Sequence, residues 1–259
     1  MKHTKAILLI LLLVGGVFSL SAKELTQAEQ VEIWNSANDA YGKGAYDEAI
    51  VAYDSLLASG YESAKLYYNL GNAYFKNNRI GKAILNYNRA LQLAPSSEDI
   101  QYNLQVANAH TVNRIDAVPE FFLTTWFRSL RTMFNSNGWA VLSLIFLGIT
   151  LAGAMVYLLS GTVRGRKIGF SAGVIALILF IFAVSFSIRQ KNLKVDSSEA
   201  IVMSSAAPVK SSPDSNGTDL FILNEGAKVT ILDNLNGWYE IVIASGNKGW
   251  ISGEYVEII

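Results

Sequence analysis

Three hydrophobic patterns follow one another along the chain. Residues 30–113 place apolar side chains at helical spacing: Ile80, Ala83, Ile84, Tyr87, Ala90 and Leu91 form one stripe of a predicted helix. Residues 138–160 and 168–188 then form runs of 23 and 21 residues without a charge. At about 1.5 Å rise per residue each gives at least 30 Å of helix, enough to cross a hydrocarbon core. Two buried helices of a soluble core would need polar faces, which these segments lack. From 195 to 259 the pattern breaks into short β-branched runs: "EAIVM", "APVKSS", "DLFIL", "KVTIL", "WYEIVI", "KGWIS" and "YVEII". Asn236-Gly237 and "SGNKG" read as hairpin connectors between them. Some 60 residues of such strands predict a small closed barrel. The expected architecture is multidomain: an all-α helical array, a two-helix transmembrane hairpin and a small all-β barrel.

The flanks refine this picture. "MKHTKAILLILLLVGGVFSLSAKE" has a basic head, an apolar run and small residues, the layout of a signal peptide over 1–22 with cleavage after Ala22. Leu20 departs from the small-x-small rule, so an uncleaved signal anchor stays open. Before the first span, "PEFFLTTWFRSLRTMF" places Phe122, Trp126, Leu130 and Met133 at helical spacing, with Arg128 and Arg131 on other faces. Within the 114–136 linker this reads as an interfacial helix lying on the bilayer, or as an amphipathic cap on the array.

Charge settles the partner class more than the fold. Residues 114–194 carry 9 cations against 2 anions, whereas 23–113 carry 7 against 10 and 195–259 carry 3 against 9. Both soluble parts are acidic, which excludes nucleic acid as a partner. The basic loop 161–167, with Arg164, Arg166 and Lys167, is expected to be cytoplasmic, although its outer flanks are nearly as basic. The signal peptide and the even number of spans break the tie. Both soluble parts then face the exported side, the periplasm of a Gram-negative inner membrane.

The helical part repeats itself at an offset of 34: Ala49/Ala83, Ile50/Ile84, Tyr53/Tyr87, Leu57/Leu91 and the two "YNL" triplets at 68 and 102. The copy "AKLYYNLGNAYFKNNRIGKAILNYNRALQLAP" resembles the tetratricopeptide repeat. Tyr67, Leu70, Gly71, Tyr74, Ala83, Tyr87, Ala90 and Pro95 stand at its signature positions. Gly71 and Ala83 are small where two antiparallel helices are expected to cross, and Pro95 stops the second helix. Ser96 with Asp99 is the expected cap of the next. The array is read as repeats at 30–63 and 64–97 with a capping helix at 98–113, the first copy being degenerate at Ala37, Ala40 and Leu56.

Such arrays bind peptides or partner proteins on the face made by the first helix of each repeat. Asn35, Asn69 and Asn103 share one repeat position, and Asn38 and Asn72 share another. Asparagine both donates and accepts, so this ladder can hold an extended peptide by its backbone, or it is simply tolerated on a solvated face. Trp34, Asp99 and Asn103 stand where carboxylate-clamping relatives need cations, so a carboxylate clamp is not expected.

The C-terminal segment resembles bacterial SH3-like domains through "PVKSSPDSNGTDLFIL", "GWYEI" and "KGWISGEYVEII". Trp238, Tyr239, Trp250 and Tyr255 are its candidate ligand surface, with packing on the barrel as the alternative role for Trp250. Trp238 and Tyr239 alternate on one strand, so one points in and the other out. The chain has no cysteine and, beyond His3, only His110, which leaves no catalytic couple, metal site or cofactor to propose.

The order of signal peptide, tetratricopeptide array, basic-looped hairpin and SH3-like barrel, with the "PEFFL…W" run, resembles the BatE-type proteins of the aerotolerance operon of Bacteroidetes and their relatives. The resemblance implies a periplasm-facing inner-membrane protein in a complex with von Willebrand A-type membrane proteins, linked to oxidative stress. The residues point to a non-enzymatic adaptor in contact with the lipid bilayer and partner proteins. The alternative is an envelope sensor whose barrel binds peptidoglycan.

Overall fold

The computed structural model describes residues 25–111, 122–195 and 199–259; of Thr125, Arg128 and residues 192–195 it describes the backbone alone. The expected signal peptide, its cleavage site and the linker up to residue 121 lie outside the described residues.

Five helices form the array: α1 (Gln27–Gly42), α2 (Tyr46–Ala58), α3 (Ala64–Lys76), α4 (Ile80–Leu93) and α5 (Glu98–Ala109). Thr26 starts α1 with a capping box, its backbone N–H donating to Glu29 Oε2 at 2.8 Å, and the Ser63 hydroxyl caps α3. The degenerate first copy folds with the same turn as the second. Ala45 N–H donates to Ala40 O and Arg79 N–H donates to Tyr74 O, both at 2.9 Å and 34 residues apart. Gly44 at φ 79° and Asn78 at φ 58° hold the equivalent left-handed position. Tyr67, Leu70, Gly71, Tyr74, Ala83, Tyr87 and Ala90 are buried, and a Cβ on Gly71 would stand 2.7 Å from the Tyr87 ring, so α3 and α4 touch there. The cap of α5 differs from expectation. Ser97 rather than Ser96 is the N-cap, without a side-chain hydrogen bond, and the first-turn acids Glu98 and Asp99 favour the helix dipole instead.

Helix α6 (Phe122–Thr132) precedes two long apolar helices, α7 (Ser136–Leu159) and α8 (Val163–Val195), each long enough to cross a membrane. They pack as a tight antiparallel hairpin. A Cβ on Gly153 would lie 2.8 Å from Gly169 O, and the Ser136 and Ser187 hydroxyls each donate to the other's carbonyl at 3.0 Å. The connection is shorter than the expected 161–167 loop. Arg164, Arg166 and Lys167 lie in the first turns of α8, because Thr162 caps Gly165 N–H and arginine and lysine are good helix formers.

The last module is a seven-stranded antiparallel sheet: β1 (Glu199–Val202), β2 (Ala207–Lys210), β3 (Asp219–Leu223), β4 (Lys228–Leu235), β5 (Trp238–Ile243), β6 (Lys248–Ser252) and β7 (Val256–Ile258). Its order is β3-β2-β6-β5-β4-β1-β7. Asn236 and Gly237 take φ 51° and 83°, both positive, as a tight two-residue hairpin between β4 and β5 requires. Strand β1 is buried on both faces. Ala200 and Val202 join the barrel core, while Ile201 joins the core of the helical array.

Candidate partner-binding surfaces

Four of the five predicted asparagines, Asn38, Asn69, Asn72 and Asn103, form a hydrogen-bonded ladder across the first helices of the repeats. Asn38 Oδ1 accepts from Asn69 Nδ2 at 3.1 Å and from the Tyr53 hydroxyl at 2.8 Å. One repeat on, Asn72 Oδ1 accepts from Asn103 Nδ2 at 2.9 Å and from the Tyr87 hydroxyl at 2.8 Å. The ladder therefore ties α1 to α3 and α3 to α5. Burial raises the pKa of both phenols, so they stay protonated and act as donors. With both hydroxyls donating, Asn38 and Asn72 turn their Oδ1 atoms toward the tyrosines. Among the described residues, the Nδ2 groups of Asn38 and Asn72 and the Oδ1 atoms of Asn69 and Asn103 keep no protein partner in this network.

The sequence reading found these positions but missed that the amides bind one another, since pairs 31 apart do not fall on the 34-residue period. It also missed the aromatic row beside them. Trp34, Tyr68 and Tyr102 occupy one repeat position. Trp34 meets the Tyr53 ring edge-on with Lys65 Nζ 5.5 Å over its own ring, and the Tyr68 hydroxyl accepts from Asn103 Nδ2 at 3.0 Å. Tyr102 is 66% exposed, so the aromatic row ends on open surface, and Asn35, which takes no part in the ladder's hydrogen bonds, is exposed as well.

On the barrel the register separates the four predicted aromatics. Tyr239 and Tyr255 pack against the barrel core. Trp238 pairs with Ser252, and Glu240 with Trp250, across β5 and β6. Trp238, Glu240 and Trp250 thus share the outer face, the two indoles as diagonal neighbours. Both are half-buried. Gly249, beside Trp250, faces inward against Val209 and Leu220.

Two concavities complete the surface. A cavity of ≈ 710 Å³ lies where array, barrel and hairpin mouth meet, with Leu91, Leu104, Arg131, Gln190, Lys228 and Val242 on its walls. A second, of ≈ 600 Å³, lies between α1 and α2, with Val51, Glu32 and Glu48 among its lining residues. His110 is a packing residue, its ring edge-on to Phe75 and its Nδ1 2.8 Å from Val106 O.

Comparison with known families agrees with these two modules. Residues 64–97 match the tetratricopeptide repeat and residues 205–257 match the bacterial SH3 domain. No curated protein matches the chain. The first repeat and strand β1 lie outside the matched stretches. Both modules are typically non-catalytic interaction domains, of the kind that take protein or peptidoglycan partners.

Proposed function

We propose that the chain is a membrane-anchored, non-enzymatic adaptor whose helical array holds an extended segment of a partner protein along the asparagine ladder. The observation that carries this reading is the set of amide groups left free by the ladder: a donor and an acceptor per rung, pre-oriented by buried tyrosines. Rungs on neighbouring packed helices stand roughly 8–10 Å apart. An extended chain advances about 3.3 Å per residue, so each rung would meet the main chain at every third residue. Tyr68 and Tyr102 would flank that chain. Pre-orientation lowers the entropy cost of binding.

The periplasmic side for both modules is supported by the signal-like N-terminus and the even number of spans. A role in an aerotolerance or oxidative-stress complex with von Willebrand A-type membrane proteins is supported by the resemblance of module order. The test is co-purification of the full chain from native membranes, with Asn35→Arg and Tyr102→Arg on the exposed ends of the face. The reading expects the double variant to lose a partner that the parent retains. Unchanged partners would sink it.

The outward Trp238–Trp250 pair favours a second reading, in which the barrel binds peptidoglycan. Stacking of sugar rings on half-exposed indoles is the chemistry required. Sedimentation of the detergent-solubilised full chain with purified sacculi checks it. Trp238→Ala should abolish co-sedimentation, and a parent that stays in the supernatant removes this reading.

A further inference from the structure

The barrel does not hang free from the end of α8. It is seated along the outer side of α4, which an array alone would leave to solvent. Gly81, Asn86 and Asn88 are buried there, although asparagine in a helix normally faces water. The N-cap of α4, Arg79, makes no side-chain cap, and Glu225 from the barrel takes that role: Gly81 N–H donates to its Oε1 at 2.8 Å. A carboxylate there also complements the helix dipole.

Further along α4, Lys82 and Arg89 both pair with Glu257, and Arg89 Nη2 donates to Ile258 O at 2.7 Å. Lys228 Nζ donates to Asn88 Oδ1 at 3.3 Å. Between these polar clamps the contact is apolar. Ile201 is fully buried in the array's core cluster, with Met203 and Ile259 packed against it. Gly226 sits so close that a Cβ there would be 2.8 Å from Ile84 Cδ1. Cap, ion pairs and apolar plug together span α4 from its first turn to Arg89.

We propose that the β1–β7 edge and the Glu225–Gly226 turn form a docking surface whose partner is the chain's own helix α4. Array and barrel then act as one rigid body, with the asparagine ladder and the outer Trp238–Trp250 face held open together. A partner engaging both faces must present its two elements at a fixed separation. Because α4 also carries Tyr87, which holds Asn72 of the ladder, undocking the barrel loosens the ladder. The docking stands whichever partner is bound.

The absence of cysteine makes the test clean. Asn88→Cys and Lys228→Cys are introduced together in the full chain, in membranes, and treated with a short bismaleimide. Docking predicts an intramolecular cross-link. Adding Glu257→Lys with Ile201→Asp should lower its yield about tenfold or more, because a like charge then faces Lys82 and Arg89 and a carboxylate would have to be buried in the apolar part of the contact. Protease resistance of the barrel core in that variant distinguishes undocking from unfolding, since Ile201 faces away from the barrel core. A barrel that has lost this resistance is replaced by the variant carrying Glu257→Lys alone, for which the same loss is expected. Labelled but uncrosslinked cysteines would overturn the proposal. So would a yield insensitive to the added changes, or a cross-linked dimer in place of the monomer.

Discussion

Replacing Asn72 by alanine should destabilise the array far more than removing the hydroxyl that binds it. In Asn72→Ala the Tyr87 hydroxyl, on a residue only 1% exposed, loses its acceptor. A stranded buried hydroxyl costs about 1–3 kcal/mol. Asn103 Nδ2 also loses one bond but keeps the Tyr68 hydroxyl, which adds about 0.5–1.5 kcal/mol. Alanine's better helix propensity returns at most roughly 0.7 kcal/mol, leaving a net loss of about 1–4 kcal/mol.

In Tyr87→Phe, by contrast, Asn72 Oδ1 still accepts from Asn103, so only one bond is lost, about 0.5–1.5 kcal/mol. In the Tyr87→Phe background, Asn72→Ala strands no hydroxyl, so the double variant should cost less than the sum. Hydrogen exchange of α3 and α4 amides, on the full chain in lipid nanodiscs, reads these differences as protection factors. Each 1.4 kcal/mol is about tenfold. Equal effects of the two single changes, or strict additivity, would refute the ladder geometry and with it the pre-orientation of the free amides.

Three further outcomes are expected. Gly71→Ala sets a Cβ 2.7 Å from the buried Tyr87 ring, and overpacking of about 1–3 kcal/mol should outweigh the roughly 1 kcal/mol gain in helix propensity, seen as a lower array melting temperature. Asp54 has its carboxyl raised, chiefly by burial, against the Tyr74 hydroxyl and the Lys82 and Arg79 charges, with Glu257 pushing the same way as burial. A folded-state pKa above the unfolded one means stability is lost as pH rises through the window from the usual 3.8 upward. Asp54→Asn, which keeps an acceptor for Tyr74, should therefore melt higher than the parent at neutral pH, with the gain vanishing in acid below that window. Gly153→Leu should separate the hairpin, where Gly169 O and the Gly173 backbone leave no room for a side chain. Gel migration of the full chain in mild detergent reports that loss of compactness.

How much of this was legible depends on what kind of contact each element makes. The 34-residue period announced the array because each repeat buries the same face, so Tyr53 and Tyr87 reappear with identical partners. The seven strand segments were legible because hairpin turns such as Asn236-Gly237 carry their own backbone signature. The docking of barrel on array was not, since it joins residues some 140 or more apart through ordinary-looking positions such as Gly81 and Glu225. One signal was present: "AIV" at 200–202 is an unbroken apolar triplet where an exposed-face strand would alternate, as a strand covered on both sides should read. The expectation of a loop after Ser160 rests on the charge of its residues, although nothing in "VRGRK" forbids a helix and Thr162 supplies its cap.

The most direct test of the adaptor reading is photo-crosslinking in living cells from Asn35 and Tyr102, with Tyr61 on the α2–α3 turn as the control position. The account predicts that the two ladder-face positions trap the same partner protein and that Tyr61 does not. Ladder-face positions that trap nothing, or that trap only what Tyr61 also traps, would contradict it.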